Sequence, residues 1–95
     1  MRPAPLAQDL RQVERDLVKI PNVGPAMARD LVLLGVRRVE DLASREPAAM
    51  YAELCALTRK KQDPCVLDTF EAIVHYARTG EALPWWTFTR RRKGA

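Results

Sequence analysis

Apolar residues recur along the chain at helical spacing, and short breaks rich in Pro, Gly or charge separate the stretches that carry them. Leu6, Leu10, Val13 and Leu17 follow an i, i+4, i+7, i+11 rhythm, which predicts an amphipathic helix over 6–19. Ile20-Pro21-Asn22-Val23-Gly24-Pro25 ends it. Pro21 disfavours helical geometry at Ile20, and Asn22 and Gly24 both tolerate positive φ. Pro25 suits the first turn of a second helix. That helix runs to about Leu34, with Met27, Ala28, Leu31 and Val32 inward and Gly35 as a C-cap beyond its end.

Val39 to Arg45 reads as a short helix with Val39 and Leu42 turned inward. Pro47 opens another, to about Thr58, apolar at Met50, Tyr51, Leu54 and Leu57. Arg59 to Gln62 is a polar, basic connection. Asp63 as N-cap and Pro64 at the first helical position start a long helix that Gly80 ends. Val66, Phe70, Ile73, Val74 and Ala77 form its core face. No alternating β-branched run is present, so the pattern predicts an all-α fold of about five short helices. No internal repeat or long linker divides residues 1–84, which read as one domain, and residues 85–95 read as an aromatic and basic C-terminal tail.

Length then narrows the function. A chain of 95 residues with 47% apolar content is enough for one core and too small for most enzymes built from two subdomains around a cleft. A binding module is the better expectation. No apolar run is long enough to span a membrane. Met1-Arg2-Pro3-Ala4-Pro5 leads into no apolar signal core, so a cytoplasmic location is expected.

Charge changes the picture only when divided by region. The chain holds 16 Lys and Arg against 12 Asp and Glu. Arg90, Arg91, Arg92 and Lys93 lie in the tail, so the other 84 residues carry 12 bases and 12 acids. Basicity therefore belongs to the tail, either as a nucleic-acid-binding arm or as a solvated end. Trp85-Trp86 reads either as a lid on the helices or as a stacking surface.

Cys55 and Cys65 fit reduced thiols. Cys65, at a helix start, invites a lowered thiol pKa, which Asp63 opposes. Cys65 and His75 share one helix, where ten residues span about 15 Å, so they cannot hold one ion. No metal or cofactor site is expected. No Ser–His–Asp set, phosphate-binding Gly-rich loop with Lys, or carboxylate cluster is present, so the chain is expected to be non-catalytic.

The stretch Leu17-Val18-Lys19-Ile20-Pro21-Asn22-Val23-Gly24-Pro25-Ala26-Met27-Ala28-Arg29-Asp30-Leu31-Val32-Leu33-Leu34-Gly35-Val36 resembles the helix-hairpin-helix motif. Ile20 and Val23 plug such a hairpin into the core, and outward backbone N–H groups suit a phosphate. Gly35-Val36-Arg37-Arg38-Val39-Glu40-Asp41-Leu42 is similar to the segment that often follows such hairpins in DNA-repair and polymerase proteins. Tyr51, Leu54-Cys55, Asp63-Pro64-Cys65-Val66-Leu67-Asp68 and Pro84-Trp85-Trp86-Thr87-Phe88-Thr89, with Arg92-Lys93, resemble the small bacterial pathogenicity locus family. Its members are often called mitomycin resistance proteins with a helix-hairpin-helix domain. The resemblance spans roughly residues 15 to 93.

The resemblance implies a helix-hairpin-helix or SAM-like fold and sequence-independent contact with the DNA backbone. Asn22, Val23, Gly24 and Ala26 would form the hairpin contact, with N–H groups from the last three. Arg29, Lys19, Arg37 and Arg38 would supply charge. Three residues depart from the pattern. Asn22 stands where Gly is usual, Ala26 stands where DNA-binding hairpins often carry Lys, and Pro25 removes a donor. A degenerate second hairpin, with Ser44-Arg45-Glu46-Pro47 as its turn, would lack the Gly-apolar-Gly signature. The alternative is a protein-interaction module, by self-association or through a partner helix. A link to DNA damage or drug resistance comes only from the resemblance.

Overall fold

Three prolines set where helices begin. Pro25, Pro47 and Pro64 each occupy the first turn of a helix, where a missing N–H costs nothing and the fixed φ is already helical. In the computed structural model, which describes residues 7–94, the α-helices are α1 (Ala7–Leu17), α2 (Pro25–Leu33), α3 (Pro47–Thr58), α4 (Pro64–Thr79) and α5 (Trp85–Gly94). A 3-10 helix, Val39–Leu42, lies between α2 and α3. The fold is all-helical, with no strand among the described residues. None of its helices is long and apolar enough to cross a membrane. Leu6, the first residue of the predicted α1 stripe, lies outside the described residues, as do the ends of the domain and tail assigned to residues 1–84 and 85–95.

Helix ends close as the sequence predicts in three places. Gly35, at φ +85, follows α2; its N–H bonds to Val32 O at 3.0 Å and that of Val36 to Leu31 O at 2.9 Å. These two bonds satisfy carbonyls that the helix end would otherwise orphan. Asp63 accepts from the Cys65 N–H at 2.8 Å and caps α4. Gly80, at φ +79, closes the other end of α4.

Two expectations are corrected. The helix expected over 39–45 is a four-residue 3-10 turn. It is confined between the α2 closure and Pro47, which holds Glu46 extended. Residues 85–94, expected to be a tail, form a helix.

α4 is the central element. α3, α5 and the 3-10 helix pack against it, and α1 pairs with α2. Phe70, Ile73 and Val74 of α4 meet Leu17, Leu31, Val36, Leu42, Met50 and Leu54 in one core. Burying each such side chain contributes about 1.5–3 kcal/mol against the entropy of ordering the chain.

Candidate functional site

The α1–α2 connection runs from Val18 to Gly24 and is fixed at both faces. On the inner face, Ile20 and Val23 are buried in the core. Within the turn, the Val23 N–H bonds to Ile20 O at 3.1 Å. Val23 was expected to offer that N–H outward; the turn uses it internally. Between them Asn22 sits at φ +76, a conformation that Asn tolerates better than other residues with a side chain.

The Asn22 side chain is engaged twice. Its Nδ2 donates to Leu83 O at 2.9 Å, and its Oδ1 accepts from the Trp85 N–H at 3.1 Å. α5 thus takes a helix cap from a residue 63 positions earlier in the chain. The expected outward role of Asn22 is corrected accordingly: its amide clasps the start of α5.

Next in the chain, the N-terminus of α2 is open. Gly24 is its N-cap, in extended geometry at φ −97 and ψ −178, with no side-chain cap. The first bond into the helix is Ala28 N–H to Gly24 O, at 2.9 Å. The N–H groups of Gly24, Ala26 and Met27 have no acceptor among the described residues. Gly24, Pro25 and Ala26 are exposed. A Cβ added at Gly24 would meet nothing within 4 Å. Its φ is one that any residue adopts, so of the two residues that tolerate positive φ in this turn only Asn22 uses it. Neither conformation nor packing among the described residues requires glycine here.

Of the expected basic residues, Lys19, Arg37 and Arg38 do not converge on this end, and only Arg29 lies on α2 itself. Arg29 is exposed on α2, beside Asp30. Burial pushes the Asp30 carboxyl up, against the opposing pull of Arg29 and Lys60. Lys19 pairs with Asp16 at 3.7 Å, an exposed contact of little energy. Lys19 and Arg38 line a groove of about 270 Å³ with Asp16, Glu40 and Tyr76, where the charges balance. Arg37 lies beyond the opposite end of α2, and its guanidinium donates to Val32 O and Val36 O at 3.2 and 3.3 Å. The nine residues of α2 put about 13 Å between its ends, which separates Arg37 from Gly24.

Sequence reasoning passed over two nearer arginines. Arg11 and Arg15 line a groove of about 290 Å³ with Glu14, Val18 and Pro25, at the start of α2. Their i, i+4 spacing off the apolar stripe of α1 was the available signal.

The C-terminal segment carries the most strongly held polar group. Asp68 of α4 is 1% exposed. It accepts from Thr89 Oγ1 at 2.6 Å and from Arg92 Nε and Nη2 at 3.0 Å each. The Arg92 hydrogen bonds hold the Asp68 carboxyl below the usual carboxylate range, against the opposing effect of burial. Arg92 is therefore neutralised by Asp68 although a third of its side chain stays in solvent, and Arg90, Arg91 and Lys93 of the basic run have no ion-pair partner among the described residues. The two tryptophans divide: Trp85 is half-buried and Trp86 is 48% exposed.

The Cys65 thiol is pushed up, first by its hydrogen bond to the Asp63 carboxylate and then by burial. The lowering expected from the helix end is overridden. His75 bonds to Glu81 at 2.7 Å. Among the described residues, no three His, Cys, Asp or Glu side chains gather to hold a metal ion.

Comparison with known proteins bears on the whole assembly of α1 to α5. The family model described as the pathogenicity locus, Cdd1, matches residues 8–94. The chain is 36% identical over 78 residues to the mitomycin resistance protein McrB of Streptomyces lavendulae. That match covers 82% of this chain and 74% of the relative. No solved structure matches. The matched span includes the α1–α2 connection, Asp68 and the helix that carries Arg92, as the resemblance of the sequence led one to expect, and the chain belongs to the pathogenicity locus family.

Proposed function

We propose that the chain is a non-catalytic helix-hairpin-helix protein that binds the sugar-phosphate backbone of DNA without reading its sequence. Gly24 carries this proposal. It is a glycine that the fold does not need, placed where three backbone N–H groups are open. A phosphate oxygen approaches such groups closely only where no side chain stands in the way. The α2 dipole, Arg29, Arg11 and Arg15 favour the same anion.

Anisotropy titrations of labelled DNA at several salt concentrations test this. Gly24→Ala is expected to fold as well as the parent or slightly better, by about 0.4–1 kcal/mol. Its DNA affinity is expected to fall about tenfold, from the loss of charge-assisted hydrogen bonds. Arg29→Ala is expected to weaken binding equally on unrelated sequences and to lower the salt slope by about one. Unchanged affinity in Gly24→Ala would overturn the proposal.

The named relative extends the reading to the cell. Under the same proposal the chain contributes to tolerance of DNA damage or of mitomycin, and loss of that tolerance on disruption supports it. A protein-interaction role is favoured by a different observation. Leu33 and Leu57 are 56% and 53% exposed on the packed helices α2 and α3. A dimer in sedimentation that Leu33→Asp dissociates, with no DNA binding, would replace the first reading by this one.

A further inference from the structure

The exposed chemistry of α5 is aromatic and basic together. Trp86 is 48% exposed, while Phe88 closes the core side of the helix at 7%. The Arg90 guanidinium lies 5.2 Å from the Trp86 ring centroid, one helical turn on. Arg91 lies 4.9 Å from the Phe88 ring centroid. With Arg92 engaged by Asp68, the exposed cations without an ion-pair partner among the described residues are Arg90, Arg91 and Lys93, and residues 85–94 include no acid. Two acids stand near this helix on α4. Asp68 is already paired, and Glu71 lines a groove with Arg91. Asn22 ties the first turn of α5 to the α1–α2 connection.

We infer that this face of α5 takes single-stranded nucleic acid, with an unpaired base stacked against Trp86 and phosphates met by Arg90 and Lys93. The inference rests on the backbone-binding role above and names the strand form that the site prefers. A duplex hides its base faces in its own stack. An exposed indole gains only from a base that is unpaired, and stacking of this kind contributes about 1–3 kcal/mol per base. The cations complement the phosphates of the same strand.

The test uses the full chain and three labelled probes: a single strand, the duplex of the same sequence, and a strand of the same length lacking bases. The parent protein is expected to bind the base-bearing single strand most tightly. Trp86→Ala is expected to lose about tenfold on that strand and nothing on the duplex. Trp86→Phe, which keeps a ring, is expected to lose less. Trp86 is half in solvent, so the thermal midpoint of each variant is expected to stay near the parent value and serves as the check on folding. Equal affinity for the strands with and without bases would overturn the inference, as would an unchanged single-strand affinity in Trp86→Ala. In either case, duplex binding that Gly24→Ala weakens leaves the backbone role standing. Failure to bind any probe at low salt overturns both.

Discussion

Asp68→Ala is expected to lower stability by about 3 kcal/mol, from the loss of three hydrogen bonds to the carboxylate at about 1 kcal/mol each. In a domain of this size that moves the thermal midpoint down by about 15 °C. The carboxylate is 1% exposed and accepts three hydrogen bonds from α5. Its removal leaves Thr89 and Arg92 without their shared acceptor and opens a void between α4 and α5. Asp68→Asn keeps the shape but turns an amide donor or a neutral oxygen toward the guanidinium. It is expected to fall between parent and Asp68→Ala, which separates the contribution of charge from that of packing.

The same residue makes stability depend on pH, and the sign is fixed by the direction of its shift. The folded carboxyl titrates below its unfolded value, which is about 3.9. Its contribution is therefore complete above about pH 5 and is lost progressively as pH falls from there through the lower, folded value. Thermal melts followed by tryptophan emission across that acid range check this. The parent is expected to lose stability there more steeply than Asp68→Asn; identical slopes would show that the pair is not the source.

Asn22 is expected to give the second large effect. Asn22→Ala carries a penalty of about 1–2 kcal/mol for holding a left-handed backbone without the Asn side chain. It also leaves Leu83 O and the Trp85 N–H without their partners, at about 1 kcal/mol each. The total is about 3 kcal/mol. Asn22→Gly keeps the backbone conformation free of strain and loses only the clasp, so about 2 kcal/mol is expected from the two hydrogen bonds. Denaturant melts of both variants give the two components by difference. Parental stability in Asn22→Gly would show that the clasp contributes nothing.

Local chemistry made much of the fold legible. Pro25, Pro47 and Pro64 mark helix starts in the sequence, and Gly35 and Gly80 mark ends, because each acts through its own backbone. α5 was missed for the opposite reason. Its capping acceptor belongs to Asn22, 63 residues away, and its sequence from Trp85 to Gly94 is polar and basic. Periodicity that depends on a few anchors, Phe88 above all, does not announce a helix. At the site, the open α2 terminus could be read from Gly24-Pro25, which has no capping side chain. The use of the Val23 N–H inside the turn could not, since that bond depends on how tightly Ile20 and Val23 close on the core. The placement of Arg37 is local but equally silent in the pattern: its guanidinium turns back onto Val32 O and Val36 O, five and one residues earlier, and residue type alone does not announce that turn.

The long-range clasp also has a consequence during biosynthesis. The ribosome delivers Asn22 well before Trp85. A nascent chain that does not yet include α5 has the hairpin residues in place but no partner for the Asn22 amide, and it holds the Asp68 carboxylate in an unfinished core. Such a chain is exposed to cellular proteases until α5 has been made and docked. Products terminated before α5 are expected to be cleared rather than to persist as partly active protein, so docking of α5 vouches for the residues made between Asn22 and itself.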